Sequence, residues 1–152
     1  MRAVLSTGSN IGDARAHLRS VVDAFAGHVV AASSIYATAP WGGVEQPDFL
    51  NQVLLIDVPC SPHELLARCQ RLEREARRVR DVRWGPRTLD VDIISIDGVT
   101  SADPELTLPH PRARERAFVL IPWLEVEPDA ALEGEAVAGI VEKLGAQGVR
   151  RL

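Results

Sequence analysis

Residues 49–69, FLNQVLLIDVPCSPHELLARC, change period within three positions. Up to Val58 the run is aliphatic and β-branched, the composition of a strand with little solvent contact. Then Ser61, Pro62 and Glu64 fall at the N-cap, first and third positions of a helix. This is a capping box, with the proline where its missing N–H is not needed. The helix carries Leu65, Leu66, Cys69, Leu72 and Ala76 on one side and Arg68, Arg71 and Arg74 on the other. Its end is read between residues 77 and 80. A buried strand running straight into an amphipathic helix commits the chain to a sheet with helices packed on it.

The same reading extends along the chain. Strands are expected at residues 2–7, 29–37, 49–58 and 91–96. Helices are expected at 13–26, from 62, at 113–124 as far as Pro122, and at 136–144. GSN at 8–10 reads as a turn, Gly27 as a helix stop, Asp97-Gly98 as a second turn, and the stretch leading to LTLPHP as a loop. The order βαββαβ predicts an α+β, ferredoxin-like sandwich. Two helices would cover one face of a four-stranded, mostly antiparallel sheet, with extra helices at the C-terminus. No repeat or linker divides the 152 residues, so a single domain over 1–152 is expected.

The net charge of −4 gives no global basic field for nucleic acid. Between residues 71 and 87, however, seven arginines face only Glu73, Glu75 and Asp81. That surplus calls for a local anion. Cys60 and Cys69 lack zinc-type spacing, and Cys69, on the apolar side of its helix, reads as a buried thiol. No apolar run is long enough for a signal peptide or a bilayer span, so a cytoplasmic location is expected.

Directly behind the arginines comes LDVDI, residues 89–93. Alternate residues of a strand share a face, so Asp90 and Asp92 point together while Leu89, Val91 and Ile93 point into the core. Two adjacent carboxylates repel each other unless a cation intervenes. Mg²⁺ typically takes one or two carboxylates together with substrate phosphates, and arginines bind the remaining phosphate charge bidentately. A D-x-D pair alone is more often a solvated strand end, and an arginine run more often a solvated helix face. Their adjacency is what points to a metal–nucleotide complex.

RWGPRTLDVDI resembles the signature of the 6-hydroxymethyl-7,8-dihydropterin pyrophosphokinase family of folate biosynthesis. LSTGSNIGD, YATAPWGGVEQPDFLNQV and LTLPHPRARERAFVLIPWLEVEPD resemble its other blocks in order and spacing, over roughly residues 3 to 129. The tail from residue 130 adds no recognisable motif. The resemblance implies transfer of a pyrophosphoryl group from ATP to the pterin hydroxymethyl group, releasing AMP. It implies two Mg²⁺ ions on Asp90 and Asp92. Arg78, Arg87 and Trp84 match catalytic positions on a loop that closes over the substrates. Gln70, Glu73, His110, Arg116 and Ile93 match the ATP site. Thr38, Ala39, Pro40, Trp41, Gly42, Phe49, Asn51 and Phe118 match the pterin pocket, with the two phenylalanines stacking on the ring and Asn51 bonding its edge. A monomer acting on small molecules, without nucleic acid or membrane, is implied. One departure stands out: Arg77 occupies a position where the family usually has glycine.

Bland readings stand beside these. His110, between Pro109 and Pro111, reads equally as a turn histidine, and Phe49, Phe118 and Ile93 as core residues. An RNA-recognition module would display aromatics on its central strands, where this chain has Asp and Ile. A D-x-D glycosyltransferase would need a longer chain. An adaptor protein is the remaining alternative.

Overall fold

The computed structural model describes residues 1–39, 47–78 and 89–152. In chain order the elements are β1 (Arg2–Ser9), α1 (Ala14–Ala24), β2 (Val29–Ala32), β3 (Tyr36–Thr38), β4 (Phe49–Asp57), α2 (Pro62–Arg78) and β5 (Asp90–Ile96). There follow β6 (Ser101–Asp103), β7 (Leu106–Leu108), a 3₁₀ turn (Ala113–Glu115), α3 (Ala117–Val126), β8 (Ala131–Leu132), β9 (Glu135–Ala136), α4 (Val137–Leu144) and β10 (Arg150–Arg151).

β1 is central. It pairs antiparallel with β4 on one side and β5 on the other, while β2 and β3 follow one another along the far edge of β4. This is the ferredoxin-like order that βαββαβ predicts. One face of the sheet packs Ala3, Leu5, Leu54, Ile56 and Val91 against Leu18, Val21 and Phe25 of the α1 region and Leu65 and Cys69 of α2. The opposite face packs Val4, Val53, Leu55 and Ile94 against Val119, Leu120 and Trp123 of α3 and Val137 and Ile140 of α4. The extra C-terminal helices are thus a third layer. They explain why β1 and β4 are apolar on both sides.

Local chemistry sets the helix starts. Ser61 Oγ accepts from the Glu64 N–H at 3.2 Å, and Glu64 Oε1 accepts from the Ser61 N–H at 3.3 Å, so the capping box is formed in both directions. Asp13 caps α1 by accepting from the Ala16 N–H at 3.1 Å. α2 is helical through the exposed Arg77 to Arg78.

Four expectations need correction. The strand expected over 29–37 is two strands, because Ser33 leaves the regular ladder. Its N–H donates to the Val53 carbonyl and its Oγ accepts from the Val53 N–H, both at 2.9 Å, so a hydroxyl replaces a backbone partner. Gly8 is not in a turn but inside β1, opposite Asn51. The helix expected over 113–124 is a 3₁₀ turn, an extended Arg116, and then α3, which passes Pro122 to reach Val126. Burial of Leu120, Pro122 and Trp123 on the sheet outweighs the hydrogen bond that proline removes. The hairpins β6–β7 and β8–β9 and the strand β10 also stand where loop or no element was expected. In β8–β9, Glu133 and Gly134 both have positive φ, as a type I′ hairpin turn requires.

β5 carries one irregularity. Val4 pairs with Ser95 but Leu5 pairs with Ile93, so Ile94 is an extra residue. Ile94 faces α3, and the extra residue lets Ile93 and Ile96, three positions apart, both face α1 and α2.

Glu125 of α3 gathers the segment that separates β2 from β3. It accepts from the Ser34 N–H at 2.9 Å, Ser34 Oγ at 3.0 Å and Tyr36 Oη at 2.6 Å. Partial burial pushes its carboxyl pKa up, but these hydrogen bonds outweigh it and hold the group below the usual range. A folded-state pKa below the unfolded one adds stability above the ordinary carboxyl range, and that stability is lost as the pH falls through it. Wild type should therefore have a higher urea midpoint than Glu125→Gln at pH 7, with the gap narrowing as the pH falls below the ordinary carboxyl range and through the lowered pKa. Equal midpoints at pH 7 would show that the cluster does not contribute.

Candidate functional site

The strand registers line up polar residues across one end of the sheet. Tyr36 is opposite Asn51, Asn51 opposite Gly8, and Gly8 opposite Asp90. One step along, Ser6 lies between Val53 and Asp92. Asn51 is nearly fully buried, and its Nδ2 donates to Thr38 Oγ1 at 3.0 Å. A Cβ built on Gly8 would stand 2.9 Å from Asn51 Oδ1. Glycine is needed here so that the amide can lie across the central strand. The signal was present in the sequence: a glycine within a strand-like run marks close approach.

Above this row is a cleft of about 740 Å³ on the α3 side of the sheet, a size suited to a small-molecule ligand. Thr38, Phe49, Asn51, Asp90 and Asp92 line it from the strands, Ala39 from just past β3, and Arg116 and Phe118 from the N-cap and first turn of α3. Eight residues singled out in the sequence are thereby brought together. Phe49 and Phe118 are only half-buried, unlike the fully buried Phe25, so both rings offer surface to the cleft. The Arg116 guanidinium lies 5.7 Å from the Phe118 ring centroid, within cation–π range. It is 4.0 Å from Asp92 Oδ2. With both groups partly exposed, that ion pair adds little to stability. Its value is to place a cation beside the carboxylates.

Arg112, Glu115, Gln147 and Val149 also line the cleft and were not singled out in the sequence. Arg112 stands in PHPRARER among several charges, with no spacing to distinguish it. Gln147 and Val149 arrive from a tail without motif.

Of the residues matched to a nucleotide site, Arg116 lines the cleft and the others lie outside its lining. β5 is the edge of the sheet, and Glu73 Oε2 of α2 accepts the Val91 N–H at 3.0 Å. Gln70 is exposed one turn earlier on α2. Ile93 is buried among the α1 and α2 packing. The His110 N–H donates to the Ile94 carbonyl at 2.8 Å, which holds the imidazole near β5. Burial depresses the His110 pKa. Asp92 opposes that shift, while Arg116 and Arg112 add to it. The ring is therefore neutral at pH 7. Its Nδ1 accepts from the Arg112 N–H at 3.2 Å, leaving the proton on Nε2 as a donor. Pro40, Trp41, Gly42, Trp84 and Arg87 lie outside the described residues, as does the side chain of Arg78.

Among the described residues no cluster of three or more His, Cys, Asp or Glu side chains could hold a metal by itself. Asp90 and Asp92 supply two hard oxygen-donor groups on one strand, both opening into the cleft. That donor set fits Mg²⁺, which completes its shell with phosphate oxygens and water, and does not fit a structural zinc site.

A family model described as 7,8-dihydro-6-hydroxymethylpterin-pyrophosphokinase (HPPK) matches residues 4–128. The 2-amino-4-hydroxy-6-hydroxymethyldihydropteridine pyrophosphokinase of Mycobacterium tuberculosis is 55% identical over 141 residues, covering 86% of this chain and 75% of that protein. The protein of the same description from Methylorubrum extorquens is 44% identical over 155 residues, covering 99% of this chain and 98% of its own. A solved Plasmodium falciparum HPPK-DHPS superposes with a TM-score of 0.72 at 11% identity, over 99% of this chain. The chain spans 48% of that longer structure, and the likeness speaks for the fold.

The contact between Gly8 and Asn51 gives a direct test. Gly8→Ala should cost about 1–3 kcal/mol, the usual range for overpacking. It should cost clearly less in an Asn51→Ala background, because the two positions share one space. Equal costs in a denaturation double-mutant cycle would show that the amide does not need the missing Cβ.

Proposed function

We propose, on the premise that the chain belongs to the 7,8-dihydro-6-hydroxymethylpterin-pyrophosphokinase family, that this cleft transfers pyrophosphate from ATP to 6-hydroxymethyl-7,8-dihydropterin. The products are AMP and the pterin diphosphate, a step of folate biosynthesis. The observation that carries the reading is the order of groups across the sheet. Thr38, Phe49 and Asn51 are on β3 and β4, the carboxylates are on β5, and Glu73 and His110 lie at its outer edge. A pterin slot and a nucleotide position thus flank the carboxylate pair.

The pterin ring fits between the half-buried faces of Phe49 and Phe118, where two aromatic surfaces supply area and orientation. The amide of Asn51, held by Thr38, offers fixed polar groups to the ring edge. The strands of Asn51 and Asp90 are two spacings apart, about 10 Å. A ring anchored at Asn51 therefore extends its hydroxymethyl group toward β5. Phosphates bound at β5 meet Arg116 from the α3 side, and the neutral His110 offers its Nε2–H from beyond the edge. Asp90 and Asp92 would hold two Mg²⁺ ions, which when bound neutralise the triphosphate and make its β-phosphorus more electrophilic. The hydroxymethyl oxygen attacks that phosphorus and AMP departs. What the protein contributes is mainly positioning and fixed charge. Arg78, Trp84 and Arg87 complete the assignment by resemblance alone.

Helices cover both faces of the sheet, which argues against the open aromatic sheet of an RNA-recognition domain. Both helix layers pack on one sheet, in support of a single domain over 1–152. Among the described residues the exposed large hydrophobic side chains are Val30 and Leu152, which is consistent with a monomer. No helix among the described residues is long and apolar enough to cross a membrane. The free, buried Cys69 suits a reducing compartment such as the cytoplasm.

Phosphorus NMR of the protein with MgATP and the pterin should show AMP and a pterin diphosphate; ADP with a pterin monophosphate would overturn the reaction assigned. Asp92→Ala should lose at least about 100-fold in kcat with an unchanged melting curve. Phe49→Ala should raise the Kd for the pterin about tenfold or more and leave that for ATP nearly unchanged. Equal weakening of both ligands would return Phe49 to the core.

A further inference from the structure

We propose that residues 145–152 are a positioning element of the pterin subsite, and that Gln147 is the side chain that sets Phe118 against Phe49. The inference rests on the reading of the cleft given above and concerns a segment beyond residues 4–128.

The tail touches both walls of the slot. After α4, Gly145 turns the chain at positive φ, and Gln147 and Val149 reach the cleft lining. Gln147 Oε1 accepts the Ala117 N–H at 3.1 Å, and its Nε2 donates to the Glu115 carbonyl at 3.3 Å. The amide thus grips the backbone on both sides of Arg116, at Glu115 and at Ala117, the residue before Phe118. It also supplies what α3 lacks. The N-cap residue Arg116 makes no side-chain cap, so the first N–H of the helix is satisfied from thirty residues away. On the other wall, β10 pairs Arg150 with Ala37 and Arg151 with Tyr36, directly before Thr38. Arg150 also forms an ion pair with Asp48, the residue before Phe49. One eight-residue segment therefore holds residues next to each aromatic ring, the backbone before Phe118 and the Asp48 side chain before Phe49.

The backbone of Gln147 supports a side-chain role. Its φ is +50°, a region where glycine or asparagine is at ease and a long side chain is not. The position holds a residue whose amide spans from Glu115 to Ala117. Alanine and glutamate would bear the same backbone strain, so comparing them isolates the amide.

The test is a pterin fluorescence titration in the presence of Mg²⁺ and a non-hydrolysable ATP analogue, with calorimetry of the analogue alone. Gln147→Ala should weaken the pterin about fivefold to tenfold, on the scale of a lost helix cap, and the ATP analogue less than twofold. Gln147→Glu, which keeps the acceptor for the Ala117 N–H, should recover part of the loss. Arg150→Ala, which releases the Asp48 side, should shift pterin affinity in the same direction. It also carries the test if Gln147→Ala does not fold. Unchanged pterin affinity in both variants, or equal weakening of both ligands, would overturn the positioning role. Wild type failing to bind the pterin would overturn the function itself instead.

Discussion

The register of β1 between β4 and β5 is the constraint on which the rest depends. A slip of one residue would exchange the two faces of the strand. Val4 would then meet α1 and α2, Leu5 would meet α3 and α4, and the fitted packing of both cores would be disrupted. The same register sets Gly8 between Asn51 and Asp90. The packing that stabilises the fold and the row of polar groups that forms the cleft are thus one arrangement. At the Gly8 end the central strand has passed beyond the cores, and the space above it is left for a ligand.

Much of this was legible in the sequence because it depends on local rules. The capping box at Ser61 and Glu64 forms as its spacing requires. Apolar periodicity located the four main strand regions and the main helices, and alternation put Asp90 and Asp92 together on the face away from Val91. What the sequence did not reveal depends on tertiary partners. Ser33 is an acceptable strand residue, and nothing local announces that its hydroxyl will take the place of a backbone group. Strands of two residues, such as β10, exist only because β3 is there to receive them. The second helical layer had a signal that went unused: residues 53–56 are apolar without alternation, which a sheet with one open face does not need.

The edges of the sheet are covered by a side chain, a loop backbone and a short strand. β5 would expose unpaired groups along its outer side, a template for unwanted pairing. Glu73 takes the Val91 N–H there, and the His110 N–H takes the Ile94 carbonyl. The bulge at Ile94 between these contacts increases the local twist. These protective contacts sit beside the carboxylates, so edge protection and the placement of Glu73 and His110 draw on the same few groups. At the opposite edge β10 covers part of β3, and Arg150 ties the tail to Asp48.

The two cysteines give the molecule an internal clock. Burial pushes the Cys69 thiol up to about 12, and its side chain is sealed between α2 and the sheet. Cys60, just ahead of the same helix, is partly accessible. A thiol reagent therefore meets two sites nine residues apart whose reactivities are governed by different events. The first responds to the surface as it stands. The second responds only when α2 lifts from the sheet, so its modification rate reads the opening frequency of the helix that carries Glu73. The ratio of the two rates reports how firmly that helix is seated, with no residue substituted.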